Sequence, residues 1–166
     1  GTFQGRVVQT NTVPSVGSST FEGSVFIKQG ESALWSYEGD YSQSYLIHDG
    51  EVQFYDSSLN QLVITPVTQL EDDTLIAIMY DIPSIMEKFD SEQISEGTYV
   101  LTPKSPNSDI SRIEVTIEDS NLESIVSYDT AGSAIGMVFS SQVLGDDIPD
   151  EIFNIEYPSD VRVVRR

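Results

Sequence analysis

The sequence predicts one curled, mostly antiparallel β-sheet interrupted near its middle by a short helical segment. Three observations predict it. Apolar and polar residues alternate along most of the chain, an Asp-Gly pair marks a tight hairpin, and the apolar spacing changes from two to three and four between about residues 70 and 96. A length of 166 residues with 39% hydrophobic content suits a single domain, 1–166, built on one core.

The first group of strands opens with "FEGSVFIKQ", where Phe21, Val25 and Ile27 point one way while Glu22, Ser24 and Lys28 point the other; Phe26 breaks the pattern. "SALWSYEG" places Ala33, Trp35 and Tyr37 together, "SQSYLIHD" places Tyr45 with Ile47, and "EVQFYD" places Val52 with Phe54. Successive strands of this kind read as a meander. Asp49-Gly50 supplies a turn between two of them, because a type I′ hairpin needs positive φ at both central residues and Asp-Gly tolerates that well. His48, the single histidine, then falls at a strand end with its side chain opposite to Ile47 and in solvent. No nucleophile or orienting group with recognisable spacing accompanies it, so a turn explains this stretch better than a catalytic site does.

The alternation returns in "TYVLTP", "SRIEVTIED", "LESIVSYD" and "SAIGMVFSSQ", with turns expected at Asn121 and at Ala131-Gly132. The last of these strands should carry Met137 and Phe139 on the concave face beside Val25, Ile27, Trp35, Tyr37, Tyr45, Ile47, Val52 and Phe54. Roughly ten strands in two groups, with no helix between consecutive members, make an antiparallel sheet large enough to curl or split.

Between the groups, Leu75, Ile78, Met79 and Ile82 form one stripe at helical spacing, and Ile82, Ile85, Met86 and Phe89 form the next. Asp72 and Asp73 are N-cap candidates for the first helix, and Pro83 sits in the first turn of the second, where its missing N–H costs nothing. These helices either plug the sheet as ordinary core or form a lid over an apolar cavity, with Met79 and Met86 offering adaptable contact to flexible ligands. Composition fits both.

The charge balance excludes several functions. A formal charge of −19, from 27 acidic against 8 basic side chains, repels phosphate backbones, so no nucleic acid partner is expected. With no cysteine, there are no disulfides or thiolate metal sites, and no apolar run is long enough to span a bilayer. The acidic runs "EDD" at 71–73 and "DDIPDE" at 146–151 lack calcium-loop spacing and read as solvated loop charge; no metal and no cofactor are expected. No catalytic triad spacing or glycine-rich phosphate loop suggests an enzyme.

Lys28, Trp35, Asp49-Gly50, Phe54-Tyr55 and Leu59-Asn60-Gln61, in that order, together with "YVLTPK", "IEVTIED", "IVSYDTAG" and the closing "FNIEYPSDVRVV", resemble the LolA family of periplasmic lipoprotein carriers. The resemblance runs through nearly the whole chain. It implies an incomplete, strongly curved antiparallel β-barrel with a helical lid. The concave residues named above would then hold the acyl chains of lipoproteins released from the inner membrane. Leu75, Ile78, Met79, Ile82, Ile85, Met86 and Phe89 would form the lid, placed at about residues 70–96. It further implies a monomeric periplasmic protein, its signal peptide removed, that takes acylated lipoproteins from an inner-membrane release transporter and passes them to an outer-membrane acceptor lipoprotein. Two other members of this fold class fit the same resemblance: a lipid- or lipoprotein-sensing regulatory domain and the outer-membrane acceptor itself.

The sequence departs from the family at two places. Gln29 stands where the family has an arginine that ties the lid to the barrel, and Gly30 follows in place of proline. A glutamine amide donates without charge, so Gln29→Arg would be expected to hold lid carbonyls more firmly. The family's N-terminal helix has no counterpart ahead of "TFQGRVVQT", which would leave the cavity more open.

Overall fold

The computed structural model describes residues 1–39, 42–70 and 75–166, the side chain of Ile85 excepted. Its strands are β1 (Thr2–Val13), β2 (Gly17–Lys28), β3 (Ser32–Tyr37), β4 (Gln43–His48), β5 (Glu51–Asp56) and β6 (Gln61–Pro66), then β7 (Phe89–Ser95), β8 (Thr98–Pro103), β9 (Ile110–Glu118), β10 (Asn121–Asp129), β11 (Ala134–Leu144) and β12 (Arg162–Arg165). Two short helices, α1 (Leu75–Tyr80) and α2 (Ile82–Met86), lie between β6 and β7.

All twelve strands join one sheet in the order β12-β6-β5-β4-β3-β2-β1-β11-β10-β9-β8-β7. Two antiparallel meanders, β1 to β6 and β7 to β11, meet along the β1–β11 seam, where Val7 pairs with Phe139 and Gln9 with Met137. β12 adds to β6 in parallel, the one parallel pairing among the described strands. The two edges, β12 and β7, do not pair, so the sheet curls without closing.

Local chemistry sets the turns where it was expected to. Asp49 and Gly50 have φ of 50° and 77°, and His48 pairs directly with Glu51 across them. At the next expected turn the positive-φ residues are Asp119 and Ser120, with Asn121 already opening β10. Gly23 is required by close approach, since a Cβ there would collide with the Ser36 carbonyl of β3.

Two expectations are corrected. The helical reading through residue 96 ends at Met86, and Phe89 begins an edge strand instead of completing a lid stripe. The cause is the Glu96-Gly97 turn: Gly97, at φ 75°, folds the chain back so that Ser91 pairs with Leu101 and Gln93 with Tyr99, and the ladder prevails over a weak helical spacing. His48 is not in solvent. Its Nδ1 shares a 2.8 Å hydrogen bond with Ser32 Oγ, and its ring stacks on Phe153 at 5.8 Å between centroids. Asp72 and Asp73, expected as N-caps, lie outside the described residues, as does the "EDD" run.

The stacking partner of His48 belongs to a C-terminal strap. Ile148 and Phe153 press onto the convex face against Leu34 and Leu46, with Phe26, Ile152 and Ile155 around them. This second core explains why Phe26 breaks the alternation: β2 to β4 are covered on both faces, and a strand buried on both sides reads as continuously apolar. The charges of "DDIPDE" do face water, but they flank an Ile148 that is only 1% exposed.

Candidate functional site

The concave face assembles by cross-strand register. Val25 pairs with Trp35, Trp35 with Tyr45, Tyr45 with Phe54 and Phe54 with Val63. The adjacent row runs Ile27, Ala33, Ile47 and Val52 across the same strands. Direct pairing puts side chains on one face, so all eight residues predicted from this meander fall together, Tyr37 included through its pairing with Gly23. Met137 and Phe139 join them from β11 and are buried in the same core. Phe54 is half-buried and packs on the Tyr45 ring at 4.5 Å.

The face extends further than the predicted set. Val7 from β1, Leu101 from β8, Ile113 from β9 and Ile125 from β10 belong to the same buried cluster, and Phe3 meets Phe139 edge-on at 5.5 Å. The alternation in "SRIEVTIED" and "LESIVSYD" carries Ile113 and Ile125 on one face, so this part was readable; the exact partners across the β1–β11 seam depend on long-range register that no local pattern fixes.

α1 covers this floor with Leu75, Ala77, Ile78 and Met79, all buried, and Met86 of α2 packs against the same cluster. Ile82 turns away and is 42% exposed, because the chain kinks between the helices and restarts there. Asp81 caps that restart, its carboxylate accepting from the Ser84 N–H at 3.4 Å and the Ser84 hydroxyl at 2.8 Å.

The cover is fastened at the same kink. Gln29 Nε2 donates to the Met79 carbonyl at 2.8 Å, and Gln29 Oε1 accepts from the Ile82 N–H at 2.9 Å. Beside it the Gly30 N–H donates to the Tyr80 carbonyl at 2.8 Å. The amide therefore satisfies one orphan carbonyl ending α1 and one orphan N–H starting α2. A guanidinium has donors only and leaves the Ile82 N–H unmatched, which argues against the expectation that arginine would hold this lid more firmly.

Polar groups on the concave face are few. The Tyr37 hydroxyl donates to Gln9 Oε1, and Gln9 Nε2 donates to Asn11 Oδ1 at 2.9 Å. Burial pushes the Tyr37 hydroxyl well above the ordinary phenol range and raises Tyr45 too, so both stay neutral. The cations of β1 and β2 lie on the opposite face and serve partners there: Arg6 holds Glu38 at 2.6 Å and Lys28 holds Asp150 at 2.8 Å. Among the described residues no cluster of acids and histidine could hold a metal ion, and no helix is long and apolar enough to cross a membrane. The Trp35 indole N–H, fully buried, has no hydrogen-bond partner among the described residues, an arrangement that costs on the order of 1–3 kcal/mol.

An open, mostly antiparallel sheet curled over an apolar floor, with two short helices packed across it, has the geometry of a site for flexible apolar ligands. Residues 1–156 match the model of one protein family, described as "Outer membrane lipoprotein carrier protein LolA". The chain belongs to the LolA family. An outer-membrane lipoprotein carrier protein of Chromohalobacter salexigens is 25% identical over 148 residues, which cover 87% of this chain and 70% of that protein. A counterpart of the same description in Alcanivorax borkumensis is 26% identical over 149 residues, covering 87% of this chain and 71% of that one. In three dimensions, a LolA superfamily protein from Nitrosomonas europaea superposes with a TM-score of 0.53 at 14% identity, covering 92% of this chain and 89% of that chain. That likeness establishes a shared fold.

Proposed function

We propose that this protein is a periplasmic carrier that takes up the acyl chains of lipoproteins released from the inner membrane and delivers them to an outer-membrane acceptor. The observation that carries the reading is the continuity of the apolar floor, Val25, Ile27, Trp35, Ile47, Met137 and Phe139, with the apolar underside of α1. That underside is fastened beside β2 through Gln29 and Gly30 rather than woven into the sheet. A buried methylene is worth about 0.8 kcal/mol, so one long acyl chain carries on the order of 10 kcal/mol of cost in water, and a soluble carrier has to cover that surface. Lifting α1 exchanges contacts with Leu75, Ile78 and Met79 for contacts with the chain, so the net affinity stays moderate and hand-over to an acceptor is possible.

The reading is tested by removing detergent from a triacylated lipoprotein in the presence of the protein. A soluble complex of one carrier and one lipoprotein is expected, and Ile78→Glu, which places a charge under the cover, should abolish it while the β-sheet circular dichroism is retained. A lipoprotein that precipitates alone beside the folded wild-type protein overturns the carrier reading.

A further inference from the structure

Trp35 holds the one buried side-chain polar atom among the described residues that lacks a hydrogen-bond partner. It is 0% exposed, it sits mid-floor between Val25 and Tyr45 in the strand register, and the core around it includes Ile27, Ile47, Ile78 and Met79. An indole N–H is a donor only, and buried indoles ordinarily find an acceptor. A donor left waiting within an apolar binding face has the character of a recognition group.

We propose that the Trp35 N–H is the specificity-determining donor of the concave site, and that its acceptor is the ester carbonyl of a fatty-acyl ester. This rests on the carrier reading and deepens it. The acceptor must arrive attached to an apolar chain, since the surroundings are aliphatic and aromatic. It must also be uncharged, since desolvating a carboxylate or phosphate here would go uncompensated: Arg6 and Lys28, the cations of β1 and β2, lie on the opposite face of those strands and hold Glu38 and Asp150 there. An ester carbonyl meets both demands. Plain hydrocarbon fills the same volume but leaves the indole unmatched, as the closed cover does; an ether oxygen is an acceptor too, but it is recessed in the line of the chain between two methylenes, whereas the ester carbonyl oxygen projects from it toward a donor on the wall. Free fatty acid at neutral pH brings a charge that the floor cannot pair. The protein therefore selects acyl esters by a single neutral hydrogen bond, with the apolar area supplying most of the affinity and the indole supplying the discrimination.

The chain has a single tryptophan, so fluorescence and the indole N–H resonance both report on this group alone. The probes are a lipopeptide carrying a dipalmitoyl glyceryl thioether and its dialkyl-ether analogue of equal chain length. The ester probe should bind roughly tenfold more tightly, as one net hydrogen bond of ordinary strength gives. It should also move the indole N–H resonance downfield and the emission to the red, while the ether probe moves neither in that direction. Trp35→Phe keeps an aromatic ring without the donor and should bind both probes alike, at about the wild-type ether affinity. If that variant does not fold, the wild-type resonance decides. Equal affinity for the two probes with the same indole shift overturns the assignment and leaves the carrier reading standing; failure of both probes to bind overturns the two together.

Discussion

At the scale of single residues, Gln29 shows how one neutral side chain joins a sheet to its cover, because an amide offers a donor and an acceptor side by side. Gln29→Leu removes the bonds to Met79 and Ile82 together. At roughly 1 kcal/mol net for each, opening should become about 2 kcal/mol easier and the affinity for an apolar fluorescent probe should rise ten- to thirtyfold, read by direct titration. Gln29→Arg should also raise it, by less, since the Met79 carbonyl keeps a donor while the Ile82 N–H loses its acceptor; tighter closure in that variant would contradict this geometry. The concave residues themselves were legible, because a period of two leaves only two faces to choose between and Trp35, Tyr45 and Phe54 sit on one of them. The family resemblance pointed to Gln29 as the tie to the lid, but its partners Met79 and Ile82 were not legible. Its partners lie some fifty residues away on a backbone whose kink no local pattern announces, and the orphan Trp35 donor is invisible until every neighbour is in place.

At the scale of elements, the strap from Gly145 to Val161 was the least readable part of the chain, since its acidic letters conceal two anchors. Phe153 is 1% exposed and Ile148 likewise, so Phe153→Ala should cost about 3–5 kcal/mol in chemical denaturation. The Lys28–Asp150 pair adds a pH dependence. Lys28, through its hydrogen bond, holds the Asp150 carboxyl below the ordinary carboxylate range, so the pair contributes fully above that range and is lost as pH falls through the lowered folded-state value. Asp150 is exposed, so the effect is small. The melting temperature of Asp150→Asn should lie slightly below wild type at neutral pH and converge with it in acid; a gap that widens in acid would reverse the sign. β7 was misread for a related reason: an edge strand with one buried residue, Phe89, carries almost no amphipathic signal, and its pairing is imposed by the Gly97 turn.

At the scale of the whole molecule, chain order and sheet order disagree at one place that matters: β6 and β7 are consecutive in sequence yet lie near opposite margins of the sheet. The segment between them, which carries α1 and α2, therefore links one side of the sheet to the other. The chain lacks cysteine, so labels introduced at Ser58 and Glu92, both exposed, would report the separation of the two sides without background. Loading with a triacylated lipoprotein should lengthen that distance by several ångströms, about the width of an acyl chain or two at the roughly 4.7 Å strand spacing the sheet must splay across, while the hairpin registers persist. An unchanged distance in a loaded complex would mean that α1 moves alone. The arrangement is that of a strung bow. A flap hinged at one end swings clear and leaves its frame untouched, whereas a string tied at both ends must slacken or flex the limbs. On the carrier reading proposed above, cargo size would then be read out as curvature on the outer surface of the bow.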